Sequence, residues 1–401
     1  MSTTLFAAPR ARSRTRRLAV GAATALLVSA FAVPSGSASA DFGPKQVVVK
    51  EGESIQAAVD AAEPGTKIVV KGHHAEQVWI NKDGIQLIGR NATIAPVPAA
   101  ERVLNPCTGG DETGPIIERA TTICVHPGFD DFPEFPEFPS DDVWLEGVTI
   151  KGFHLPDSAF DAIGVGFTND VHLNRNTITN PACDGIFVTF ADGFDVRRNT
   201  SNGSQFCNGI GVFNSEHGSI KRNTTHDNSE NGIIANDSSH VLIQRNTASG
   251  NCYGINVGDA PDFLGLPATD LTIRRNTTNG NNSRCFPFGP DFPIGVTGIL
   301  VVGVSNVLVE RNTSNDNVSD DPSLTGGGIT VVDFPGENPT DPPSAVTENV
   351  QIRRNTAKGN STALGPIDLN ITTMGTGLEV HRNTCGVGVS AAGPEPTWCT
   401  H

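Results

Sequence analysis

The chain has 401 residues, with 28 Lys and Arg against 43 Asp and Glu, and a net charge of −15 at pH 7. The first forty residues hold five Arg and no acid, so the sequence from Asp41 carries 23 basic and 43 acidic side chains, a balance of −20 that excludes the basic footprint of a nucleic-acid binder. With 43 Gly, 27 Pro, 18% charged and 37% hydrophobic residues, the chain is too turn-rich for a helical bundle and too apolar for disorder.

Residues 1–40 read as an export signal. Arg10, Arg12, Arg14, Arg16 and Arg17 precede an apolar run over 18–33 and the small-residue triplet Ala38-Ser39-Ala40. This is the order of n-region, h-region and cleavage site. Cleavage is expected after Ala40, by the general secretory route or by the twin-arginine route that Arg16-Arg17 allows. No other apolar stretch approaches the roughly 20 residues of a membrane helix, so the mature chain is expected to be secreted, extracellular and without a membrane span. Its eight Cys are never within three residues of one another. That spacing suits disulfides in an oxidising compartment better than a metal site.

Residues 41–401 are expected to form one domain. Over 41–100, Ser54 can cap a helix whose apolar Ile55, Ala58, Val59 and Ala62 share one face, and Pro64-Gly65 ends it. Strands are expected at 68–70, 78–80 and 85–88. Residues 101–142 are irregular, with the acidic, Pro-spaced 129–142 as a surface loop.

An internal repeat occupies 143–384. Arg-Asn-Thr occurs eight times, with its Asn at Asn176, Asn199, Asn223, Asn246, Asn276, Asn312, Asn355 and Asn383, in steps of 23, 24, 23, 30, 36, 43 and 28. A floor near 23 with variable additions is one structural unit carrying loop insertions. Three residues before each Asn the residue is always aliphatic (Leu173, Val196, Ile220, Ile243, Ile273, Val309, Ile352, Val380), and the next residue is always polar. Five residues before, seven of the eight are apolar. This is period two, a strand with one buried face. A second strand begins at Gly185-Ile186 and recurs at Gly209-Ile210, Gly232-Ile233, Gly254-Ile255, Gly298-Ile299 and Gly328-Ile329. Units this short close a core only by stacking at the strand spacing of about 4.8 Å.

On these repeats the chain resembles the right-handed parallel β-helix proteins of the pectin-lyase-like superfold, in the PbH1-repeat group, over roughly 47–384. The expected fold class is all-β, a right-handed single-stranded parallel β-helix, with the helix near Ile55 capping one end and 385–401 capping the other. The repeat Asn residues are expected in left-handed turns and stacked in a structural ladder, with a second stack at Asn228, Asn251, Asn281, Asn317 and Asn360. The eight Arg would repel if stacked, so they should fan into solvent or pair with acids; a polyanion-binding ridge is disfavoured by the net charge. Stacking also brings cysteines together. Cys183–Cys207, Cys252–Cys285, Cys107–Cys124 and a tail-tying Cys385–Cys399 are the expected pairs, and sequence alone leaves other pairings open.

Insertions near 258–269, 283–297, 317–327 and 333–347 flank one strand, so they are expected to wall a groove over an apolar to neutral sheet face. Asn256, Asp259, Asp262, Asp291, Phe292 and Asp333 are the candidate groove residues. The Phe residues of these loops serve more simply as a cover for the sheet than as sugar platforms. For catalysis, Asp161 and Asp184 sit one coil apart and could act as an acid/base pair or hold Ca²⁺, the one cofactor in view. Asn208 and Asn231 follow at the same position, so a polar turn residue is the simpler account. The resemblance brings in polysaccharide enzymes, yet the Asp-Pro-His of alginate epimerases is absent and the polygalacturonase motifs are not reproduced. The expectation is a secreted monomer that binds or acts on extracellular polysaccharide through the groove. The alternatives are a lyase or hydrolase and a non-catalytic scaffold.

Overall fold

The structure, a computed structural model, describes residues 45–103, 105–107, 120–128, 144–259, 267–282, 294–319, 325–336, 341–363, 365–390 and 393–400. Residues 1–40, and Cys285 with most of 101–142, lie outside them.

The period-two pattern becomes parallel pairing between successive coils. The aliphatic position three before each repeat Asn forms one column, with Leu173, Val196, Ile220, Ile243, Ile273, Val309, Ile352 and Val380 paired in turn. A second column runs Ile123, Ile163, Ile186, Ile210, Ile233, Ile255, Ile299, Ile329 and Leu369. All but Val380 are fully buried in one continuous core. Each such side chain contributes about 1.5–3 kcal/mol relative to exposure. Ile243 pairs with Ile273, and Val309 with Ile352, across the 30- and 43-residue steps. The insertions therefore leave these two columns in register; among the described residues a shift occurs beside them only between Ile294 and Thr297, outside the columns.

Two amide ladders lock that register. Each repeat Asn donates its backbone N–H and its Nδ2 to the Oδ1 of the next, at 2.8–3.1 Å, from Asn176 to Asn383. Nδ2 also donates to a carbonyl of the coil before, as Asn199 does to Leu173. The second stack, Asn228 to Asn360, repeats the arrangement and ends on Asp368 Oδ1. This stack explains the repeated Gly before Ile. A Cβ on Gly232 would lie 2.8 Å from Asn251 Nδ2, and one on Gly254 would lie 2.7 Å from Asn281 Nδ2, so the ladder fills the space a side chain would need.

One expectation is corrected. The ladder Asn residues are not left-handed; the residue before each of them is. Arg175, Arg198, Arg222, Arg245, Arg275, Arg311, Arg354 and Arg382 all have φ between 55° and 57°. The turn that aims the Asn amide inward is made one position earlier than Asn propensity suggests. Other corners use the residues that tolerate this conformation, such as Asn180, Gly203, Asp227 and Gly250. For Arg it costs about 1 kcal/mol or more each.

Both ends are closed. The helix Ile55–Asp60 buries Ile55 and Val59 in the core. Ser54 Oγ accepts from Ala57 N, and Glu76 accepts the N–H groups of Ile55 and Gln56 at 2.7 and 3.0 Å. Lys82 Nζ donates to the carbonyls of Val59, Asp60 and Ala62. An acid at the N-terminus and a cation at the C-terminus match the helix dipole. At the far end, Cys399–Thr400 pairs with the strand Asn383–Cys385, and the Cys385–Cys399 disulfide fixes it. Cys107–Cys124 and Cys183–Cys207 are also formed, with Cα–Cα distances of 5.6 and 4.6 Å. Cys252 is disulfide-bonded, and its expected partner Cys285 lies outside the described residues.

Asn223 takes part in four buried ladder bonds: its Oδ1 accepts from Asn199 N and Nδ2, and its Nδ2 donates to Val196 O and Asn246 Oδ1. Asn223→Ala is expected to lower unfolding free energy by about 3 kcal/mol or more, because several buried polar groups lose their partners. Urea titration checks this.

Candidate functional site

Outward positions alternate with the core column, so glycines there let side chains of the neighbouring coils lie against the strand. In the strand Ile163–Asn174, two successive outward positions are Gly164 and Gly166. The coil before supplies Cys107, bonded to Cys124, and His126; the coil after supplies Phe187 and Thr189. The Cβ that Gly164 lacks would meet Cys107 Cβ at 3.0 Å, and that of Gly166 would meet His126 Cδ2 at 2.9 Å. The result is a cleft of about 360 Å³ whose lining includes Asp161, Asp184, His126, Phe187 and Phe190.

One wall is aromatic. Phe167 and Phe190 stack with centroids 4.9 Å apart and 12° between planes, and His126 meets Phe167 edge-on at 5.2 Å. Both Phe are left-handed, at φ 52° and 48°. For a bulky side chain this is an outlier, and such strain persists where the surroundings impose it. In later coils the same corner carries Asn214, Asp237 and Gly303, so the two Phe are held there at a conformational cost.

The floor holds the two carboxyls. Asp161 and Asp184 precede the Ile163 and Ile186 strands, and Asn208 and Asn231 follow in the same column. Asp161 Oδ1 accepts the Asp184 N–H at 2.9 Å, Asp184 Oδ1 accepts the Asn208 N–H at 2.7 Å, and Asn231 Nδ2 donates to Asn208 Oδ1 at 2.7 Å. Both carboxyls are almost inaccessible, at 3% exposure. Burial pushes both upward; for Asp161 the charge of Asp184 adds to it, and Asp184 is raised to about 7 against the pull of its Asn208 hydrogen bonds. At neutral pH the pair therefore retains a proton. Burial lowers His126 to about 4, so its ring is neutral at pH 7. Its Nδ1 accepts the Gly128 N–H at 3.0 Å, which places its proton on Nε2.

These residues do not make a calcium cage. Ca²⁺ takes about six to eight oxygen ligands, whereas one oxygen of each Asp is tied to a backbone N–H and no third carboxylate lines the cleft among the described residues. Cys183, Asp184 and Cys207 lie close together, but the two sulfurs are spent in a disulfide.

The groove residues fall elsewhere. Asn256 is 2% exposed. Asp259 Oδ2 accepts Ala268 N. Asp333 accepts the N–H groups of Thr347 and Met374 and the Thr373 hydroxyl, as a turn clamp. In these later coils the outward face is itself buried: Leu300, Val302 and Val332 form a second cluster against which Phe334 packs. Phe334 thus covers the sheet as expected, while Phe263, Phe286, Phe288 and Phe292 lie outside the described residues. Asp262 and Asp291 lie outside them too. Sequence reasoning missed His126 and the Phe167–Phe190 stack; the available signal was Gly164-Val165-Gly166, two absent side chains on one face of a strand.

A family described as right-handed β-helix region matches residues 161–334. Among solved structures, the chain is similar to the A-module of the Azotobacter vinelandii mannuronan C-5 epimerase AlgE6, at 13% identity and a TM-score of 0.53, covering 84% of this chain and 94% of that one. It is also similar to the periplasmic alginate epimerase AlgG, at 13% identity and a TM-score of 0.52, covering 85% and 84%. No curated protein sequence matches it. At these identities the likeness fixes the fold: the chain is a right-handed parallel β-helix.

Two raised carboxyls make stability pH-dependent with a definite sign. Below about pH 4 both folded and unfolded chains hold the protons and no penalty exists; as pH rises from the ordinary value of 3.8 through about 7, the folded state must ionise buried groups and loses stability. Asp161→Asn/Asp184→Asn continues the Asn column. The double variant is expected to match the parent at pH 4 and exceed it at pH 8 by on the order of 2 kcal/mol. Thermal unfolding at both pH values checks this.

Proposed function

We propose that this protein is an exported carbohydrate-active enzyme that binds a glycan across the cleft and cleaves it by acid catalysis from the Asp161–Asp184 pair. The observation that carries this reading is the column itself. Asn208 and Asn231 satisfy the same stacking position without charge, whereas Asp161 and Asp184 accept a desolvation cost there and face a cleft. Perturbed carboxyls paired in a cleft are the usual mark of acid–base work, and a carboxyl still protonated near neutrality is a competent general acid. Phe187, in the cleft lining, offers a face on which the apolar side of a sugar ring can rest. His126 adds a neutral imidazole.

The lining favours a neutral sugar at the reacting position. Among the described residues it contains no Lys or Arg, so nothing there would neutralise a uronate carboxylate or a developing carbanion. The Asp-Pro-His tripeptide is also absent. Both points favour hydrolysis over epimerisation or lyase chemistry. The export-signal pattern of residues 1–40 and the disulfides suit an extracellular or periplasmic site of action.

Release of reducing ends from a panel of neutral polysaccharides, with EDTA present, is the direct measurement. Turnover is expected to fall as pH rises past about 7, where the acid form is lost. In Asp161→Asn/Asp184→Asn it is expected to drop at least about 100-fold with the fold intact. Unchanged turnover in that variant removes the assignment, and a lack of turnover on every polymer removes the enzyme reading in favour of a glycan-binding scaffold.

A further inference from the structure

At the other end of the long strands that line the cleft, such as Ile186–Arg197, the left-handed Arg column and the polar position beside it converge. Arg197, Arg198, Lys221, Arg222 and Arg245 line a second recess of about 440 Å³. Its one acid, Asp195, is already engaged by Arg197 Nε at 3.0 Å and by the Ser219 hydroxyl at 2.8 Å. Among the described residues, Arg198, Lys221, Arg222 and Arg245 make no ion pair, whereas farther along the column Arg353 and Arg354 close on Glu310 at 3.3 and 3.2 Å. A chain with a strong excess of acid thus gathers uncompensated cations on one strip.

Conformation supplies a second, independent observation. Among the described residues, every left-handed corner other than this one uses Asn, Asp, Gly, His or, at the cleft, Phe; this column alone is Arg in all eight coils. Asn would make the turn more easily and without like-charge repulsion. The guanidinium is therefore retained against both local strain and electrostatics, which calls for an external anion. The residue after each ladder Asn is Thr, and Thr177, Thr200, Thr224 and Thr247 stack as an outward hydroxyl column on the far side of the same corner.

We propose that this strip is a docking track for a linear acidic polysaccharide, whose carboxylates meet about one guanidinium per coil and whose hydroxyls meet the Thr column. The coil rise of about 4.8 Å is comparable to the advance per sugar of such a chain. A duplex nucleic acid carries a charge about every 1.7 Å, a density the acidic remainder of the protein would repel. The track places no demand on what the cleft takes, so this inference stands apart from the hydrolase reading.

The test is titration of polygalacturonate into the full chain by calorimetry at several salt concentrations. Arg198→Asn/Arg222→Asn/Arg245→Asn suits the turn, so folding is expected to survive, with thermal unfolding as the control. Affinity is expected to fall about tenfold or more, with a shallower salt dependence. Fully methyl-esterified polygalacturonate is expected not to bind, and Asp161→Asn/Asp184→Asn is expected to bind as the parent does. Equal affinity in the triple Arg variant, equal binding of the ester, loss of binding in the Asp variant, or tighter binding to duplex DNA or to phosphatidylserine vesicles would each overturn the proposal.

Discussion

Everything in this molecule depends on the amide of one Asn accepting two hydrogen bonds from the Asn one coil before it. A parallel sheet alone defines register only as well as its side-chain pattern does, and a one-residue slip would turn every Ile of the core outward. The buried amide forbids that slip, because its Oδ1 would lose two donors and its Nδ2 a carbonyl. With pitch locked in this way, the stretches between corners are free to grow. Steps of 23 and of 43 residues end on the same ladder at the same distances. This is how a repetitive chain can carry non-repetitive segments.

The fold was legible because its information is columnar. Leu173, Val196, Ile220 and Ile243 announce a shared interior before any coordinate is known, and the disulfides Cys183–Cys207 and Cys385–Cys399 follow from the same stacking. The left-handed Arg was not legible. Asn has the stronger preference for that conformation, and only the backbone path shows the turn to be complete one residue earlier. Nor was the cleft. Loop lengths count residues but do not say whether a segment rises beside a sheet or lies across it, and the face near Leu300 and Val302 is covered. The recess lies instead beside Gly164 and Gly166, where missing side chains let Cys107 and a His that precedes the repeat frame lie against the strand.

Two columns carry residues that are worse for folding than an available alternative. Asp161 and Asp184 replace Asn in a stack that Asn208 and Asn231 satisfy without charge, and eight Arg adopt a conformation that Asn tolerates better. In a non-repetitive protein such costs are hard to see, because no internal reference exists. Here neighbouring coils provide the control. A departure from the inexpensive residue marks a position where something other than stability shaped the choice.

The ladders also have a direction. From one ladder Asn to the next, the backbone N–H and Nδ2 donate toward the C-terminal coil and Oδ1 accepts from the N-terminal one, so the two ends of the column are chemically unlike. Two bare columns would join only end to end in the same sense, and such a heterologous contact does not close on itself; it propagates as a filament. The helix Ile55–Asp60 at one end and the sulfur-tied tail at the other thus do more than cover apolar side chains. They also cover the strand edges on which a second copy of the column could pair.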